Sequence, residues 1–192
     1  MGTQKERSEA TRAILLETFK DIALKQGFDA TTTEAVLVRT GLSKGAFYHH
    51  FRSKTELAEA IYKIESHGAI DRAVRSVAAS ISAIERLKAT SAAWLREVRE
   101  PAVRRILFEI GPSALGIKRV IEIENSLSLK LFEDLLSQAN ANGEIIVAKS
   151  ALAARLINAY VGEAALQKPA DLSAAEATIG PVIDAILVAL TD

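Results

Sequence analysis

The stretch TTTEAVLVRTGLSKGAFYHHFRSK, residues 31 to 54, limits most strongly what this chain can fold into. It holds two short helical segments in close succession. The first opens on a threonine run in which Thr31 and Glu34 have capping-box spacing and Thr32 is the competing cap. Val36 and Leu37 face inward on it. Gly41 ends it, because a tight helix-to-helix turn needs a residue at ease with positive φ. Ser43 then caps a second segment, from Lys44 to about His50. Two short helices joined by a tight glycine turn form a helix-turn-helix, which needs longer helices behind it.

The flanking sequence supplies those helices. From about Ser8 to Gln26, Leu15, Leu16, Phe19, Ile22 and Ala23 fall on one stripe, and Gly27 is placed to stop the helix. From Lys54, capped by Ser53, Leu57, Ile61 and Ile64 share a face. Phe47 points inward and closes a small core with Phe19, Val36, Leu42 and Phe51.

What remains outward is Lys44, Gly45, Ala46, Tyr48, His49 and His50. Lys44 sits in the first turn, where an ammonium donates to guanine O6 and N7. Gly45 and Ala46 keep the tip thin enough for a DNA major groove, and Ala46 suits a thymine methyl. Tyr48, His50, Lys54 and the Thr33 hydroxyl are suited to phosphate oxygens, as are the amides at helix starts such as that capped by Ser43.

Other chemistries fit poorly. Adjacent histidines project about 100° apart on a helix and do not readily share a metal ion, and no carboxylate beside them orients an imidazole. With no cysteine in the chain, thiolate metal sites and cysteine nucleophiles are excluded. No nucleophile–base pair or phosphate loop appears, so no catalytic, metal or cofactor site is expected. Net charge is zero, but its distribution is uneven. Residues 31 to 54 carry Arg39, Lys44, Arg52 and Lys54 against Glu34, whereas residues 144 to 192 carry three bases and six acids. The N-terminus lacks an apolar signal core, and the apolar run Ile179 to Leu190, broken by Pro181 and Asp184, is too short to span a bilayer. A cytoplasmic protein without a membrane partner is expected.

The segment GFDATTTEAVLVRTGLSKGAFYHHFRSKTELAEAI resembles the N-terminal domain of TetR-family transcriptional regulators. The family pattern GxSKGxxYxHFxxKxxL is present in full, with Val36-Leu37 where Ile-Ala is common. The resemblance implies that Thr33, Lys44, Gly45, Tyr48, His49, His50 and Lys54 face DNA. It implies an all-α fold, with a three-helix helix-turn-helix domain over residues 1–65. A larger helical domain for dimerisation and effector binding then covers residues 66–192. VRRILFEIGPSALGIKRVIEIENSLSLKLFEDLLSQANANGEI is similar to the C-terminal domain of one subgroup.

The residues support a homodimer independently, because one short recognition helix reads few base pairs. The last two helices carry broad apolar faces, Leu152, Leu156, Ile157 and Tyr160, then Ile179, Ile183, Ile186 and Leu187, and these are the expected interface. Trp94, Phe108, Ile121, Asn125, Phe132 and Asn158 are the candidates for lining an effector pocket, which would be mainly apolar and suited to an uncharged small molecule. The expected activity is repression by a homodimer on a palindromic double-stranded operator. The other reading is a helical protein-interaction module with a DNA-binding head and no small-molecule effector.

Overall fold

A computed structural model describes residues 3–79 and 81–191. The order is α1 (Gln4–Ala30), α2 (Thr33–Thr40), α3 (Lys44–His50), α4 (Lys54–Arg75), α5 (Ala83–Glu97) and α6 (Pro101–Arg105), then a π-helical turn π1 (Ile106–Ile110) and α7 (Gly111–Leu115). There follow α8 (Ile117–Glu124), a second π turn π2 (Asn125–Leu129), α9 (Lys130–Ala141), α10 (Ser150–Ala165) and α11 (Leu172–Ala189). Among the described residues the extended backbone amounts to one isolated bridge, Val147 with Thr191. The protein is all-α.

The chain forms two compact units. One comprises the residues up to Glu65 with Arg104–Val120, and the other Ser66–Val103 with Ile121 onward. The first unit therefore takes in a later segment that a simple division at residue 65 leaves out.

In the first unit, α1 carries Leu15, Phe19, Ile22 and Ala23 as its buried stripe, and its helical backbone breaks at Gly27, where φ is 83°. Helix α1 packs on α2, α3, π1 and α7. The late segment is held there by side chains that sequence periodicity does not reveal. The Arg105 guanidinium donates to the Leu24 carbonyl. Arg119 grips Glu59 through two hydrogen bonds of 3.1 and 2.6 Å. Arg119 and then Lys63, both bonded to it, hold the Glu59 carboxyl at about 2. Gly111 lies under Tyr62, where an added Cβ would stand 2.3 Å from the ring. Only a residue without a side chain lets these two elements approach so closely.

In the second unit, α5 packs against α9, α10 and α11. Its core includes Leu87, Leu95, Leu136, Ile157, Ile179 and Ile183. Two carboxylates have structural duties here. Glu144, beyond the end of α9, accepts from the Ala83 and Ile84 amides at 3.0 and 3.1 Å and so caps α5. Those amides hold its carboxyl below the usual range. Glu176 has capping-box spacing from Ser173, but α11 starts earlier, after Asp171. Glu176 instead pairs with Arg96 and Arg99 at 2.7 and 2.8 Å. Helix α11 has 18 residues and a mean hydropathy of 1.6, enough by length and composition to cross a membrane. That exceeds the reach of Ile179 to Leu190 alone. Yet Ile179, Ile183 and Leu187 are buried in the bundle, and Asp184 is paired with Lys88 at 2.5 Å.

Candidate nucleic-acid interface

The interface begins with two caps. Thr32, not Thr31, caps α2, its hydroxyl accepting from the Ala35 amide at 3.1 Å. Thr31 is fully buried and donates its hydroxyl to the Gly27 carbonyl. Gly41 closes α2 in the left-handed region at φ 68°. Two residues later the Ser43 hydroxyl accepts from the Ala46 amide at 3.1 Å and starts α3.

Helix α3 is anchored by one buried side chain, Phe47. Its ring meets Phe51 at 6.2 Å and Tyr48 edge-on at 5.3 Å. Most of the opposite side is open. Ser43, Lys44, Gly45, Tyr48 and His49 are exposed, and Ala46, His50 and Thr33 are half-buried. Tyr48 shows 55% of its surface although it is aromatic. A Cβ on Gly45 would meet only the Ser43 hydroxyl, at 3.8 Å. No packing inside the chain therefore requires glycine there.

The two histidine rings meet edge to face at 5.0 Å, and no metal-binding group of three occurs among the described residues. Burial first, then the neighbouring His49 and Arg12, holds His50 below the ordinary imidazole range. His50 thus presents a neutral ring near pH 7, a donor of one N–H rather than a charge.

Lys54 has a different role from the one its sequence position implies. Its ammonium donates to the carbonyls of Phe28, Asp29 and Thr31 at 3.1, 3.3 and 3.2 Å. It also lies 4.2 Å from the centre of the Phe28 ring. An ammonium has three donors, and all three are engaged. Lys54 is a clamp that ties the chain after Gly27 to the start of α4, not a free phosphate donor. Lys54→Ala is expected to lower the midpoint of thermal unfolding, while the salt slope of DNA binding by the folded protein stays unchanged. Parallel melting curves and salt titrations check this.

A family model described as "Bacterial regulatory proteins, tetR family" matches residues 15–61, most of this head. A second, "Tetracyclin repressor-like, C-terminal domain", matches residues 84–190, more than half of the chain. The chain belongs to the TetR family. That family is one of DNA-binding transcriptional regulators, not of enzymes. Regulators of the TetR family are soluble, bind DNA operators, dimerise and bind small-molecule effectors.

The curated relatives match this chain over only part of its length. The chain is 32% identical over 60 residues to the Transposon Tn10 TetC protein of Escherichia coli, covering 31% of this chain and 30% of that one. It is 34% identical over 74 residues to the HTH-type transcriptional regulator TtgR of Pseudomonas putida, covering 38% and 35%. The match thus spans about a third of the length of each. Solved structures extend the likeness to the whole fold. A TetR-family regulator from Pectobacterium atrosepticum superposes with a TM-score of 0.74 at 23% identity, covering 99% of this chain and 98% of that one. Salmonella enterica GusR gives 0.73 at 23% identity, covering 93% and 96%.

The residues expected to line a TetR-type effector pocket are dispersed. Asn158 donates to Asn125 at 3.2 Å and accepts from Ser128 at 2.7 Å. Phe132 is buried, but Ile121 is 53% exposed and lines no interior. Phe108 lies in the first unit, under the Arg104 guanidinium. The void described in that unit, between Phe19, Ile61 and Ile110, is about 10 Å³, too small for more than one water.

The expected dimer residues also divide. Ile157, Ile179, Ile183 and Leu187 are buried within the chain itself and so belong to its core. Leu152 and Leu156 are each 44% exposed. Tyr160 and Ile186 are half-buried, and the Tyr160 hydroxyl is bonded to Thr178. Sequence reasoning missed Glu34, whose carboxylate lies 3.9 Å from Lys44, and Arg12, stacked on Phe51. Neither contact leaves a local signal, because each joins residues well apart in the sequence.

Proposed function

We propose that the protein is a homodimeric repressor that binds a palindromic operator in the cytoplasm and is released by a small molecule. The observation that carries the DNA reading is the division of α3, with Phe47 buried and Lys44, Gly45, Tyr48 and His49 exposed beside it. That face has the width and chemistry for a major groove.

Support for the dimer comes from surface that the chain does not cover. Only 22% of the apolar helix α11 is buried. Val188 is 73% exposed there, and Leu166 is 57% exposed just past α10. Gly162 and Gly180 lie within α10 and α11, and an added Cβ at either would meet nothing in the chain. Glycine inside a helix costs about 1 kcal/mol relative to alanine. Close approach of a second copy gives a reason for it. The interface is then Leu152, Leu156, Tyr160, Ile186 and Val188, with the two glycines at the contact, and not the buried set.

Support for an effector comes from polar groups in the second unit. Besides the Asn125–Asn158–Ser128 chain, buried Ser66 donates to Glu124 at 2.8 Å. The Trp94 indole N–H is buried without a partner. A buried donor left unpaired is costly, and a carbonyl or hydroxyl of an uncharged ligand would satisfy it.

Sedimentation of the full-length protein with a duplex that it selects from a random library tests the assembly. Protomers paired on half-sites roughly 34–36 Å apart, or a multiple of that, are expected. A single protomer bound to a non-repeating site would count against the dimer. A thermal-shift screen of uncharged small molecules, followed by release of the bound duplex, tests the effector.

A further inference from the structure

Glu34 is the one acid between Thr31 and Lys54. It stands in the first turn of α2, its side chain 70% exposed, with its carboxylate 3.9 Å from the Lys44 ammonium on α3. Lys44 is 72% exposed. An exposed pair at that separation contributes little to folding. A first-turn acid favours the helix dipole, but this does not explain why the carboxylate lies alongside the lysine of the reading helix.

On a surface that meets DNA, a carboxylate lowers affinity for phosphates unless it finds a donor. In the major groove the donors are the cytosine N4 and adenine N6 amines. Across one G·C pair the groove edge presents guanine N7 and O6, both acceptors, and then the cytosine N4 donor. The Lys44–Glu34 couple presents a cation and then a carboxylate, a few ångströms apart. We propose that Glu34 and Lys44 together read a single G·C pair and its orientation, Lys44 donating to guanine and Glu34 accepting from the cytosine amine. The inverted pair would set the ammonium against an amine and the carboxylate against acceptors. Glu34 is therefore a specificity-determining residue supplied by α2, not by the reading helix.

This rests on α3 being the reading helix, and the test separates the two. Duplexes are first enriched from a random library by the full-length wild-type protein. All single-base-pair variants of the selected duplex are then titrated by fluorescence anisotropy against wild type, Glu34→Ala, Glu34→Gln and Lys44→Ala. Circular dichroism melting confirms that each variant folds. In wild type, one symmetry-related position per half-site should favour G·C over C·G by roughly tenfold or more. Lys44→Ala and Glu34→Ala should both lose that preference at the same position. Glu34→Gln, which keeps an acceptor and removes the charge, should retain its direction and bind unrelated duplex more tightly. Glu34→Ala retaining the preference, or losing it at a different base pair from Lys44→Ala, overturns the inference. Lys44→Ala leaving every preference intact overturns the assignment of α3 itself, and the inference with it.

Discussion

Phe47→Ala is expected to destabilise the protein by about 3–5 kcal/mol, the range for deleting a buried aromatic ring. Phe47 is 0% exposed and is the one buried residue of a seven-residue helix. Nothing else on α3 is buried to compensate. The helix is also too short to persist without tertiary contacts, so the loss falls on the geometry of the reading face as well as on global stability. Urea unfolding measures the first effect. The second appears as loss of specific DNA binding even where the rest of the chain remains folded. Phe47→Leu, which refills much of the space, should recover part of both. An alanine variant with an unchanged unfolding midpoint would mean that α3 is held by something other than this ring.

Gly45→Leu should move stability and binding in opposite directions. Glycine within a helix is unfavourable by roughly 0.5–1 kcal/mol, and the nearest atom to an added Cβ is the Ser43 hydroxyl at 3.8 Å. The free protein should thus be slightly more stable. At the DNA surface the new side chain holds the tip of α3 out of the groove. Specific affinity should fall toward the nonspecific level, a loss of roughly a thousandfold or more. Thermal melting and anisotropy on the same samples read the two effects. A variant that melts higher and still binds its selected duplex as wild type does would show that this tip does not enter the groove.

The head was legible in the sequence because its signals are local. The α1 stripe, the Gly41 turn and the Ser43 cap each depend on residues a few positions apart, and each stands where the spacing places it; on α4, Leu57 and Ile61 are buried as expected but Ile64 is 50% exposed. The misreadings came from contacts between distant segments. Lys54 looks like a phosphate donor until the chain after Gly27 returns to occupy its three protons. Glu176 looks like a cap, but Arg96 of α5 and Arg99 just past its end take it. On α10 and α11 an apolar face serves the core and a second one remains. Periodicity shows that both helices are apolar without saying which residues turn inward. Ile157, Ile179, Ile183 and Leu187 do so, and Leu152, Leu156 and Val188 do not.

The central claim, that the exposed face of α3 reads DNA sequence, is tested most directly by one comparison. Affinity of the full-length protein is measured against its selected duplex and against a scrambled duplex of the same composition, across a series of salt concentrations. The selected duplex should bind at least about a thousandfold more tightly, and both affinities should fall linearly on a log–log plot as phosphate contacts are screened. Equal affinity for the two duplexes at every salt concentration would contradict the claim.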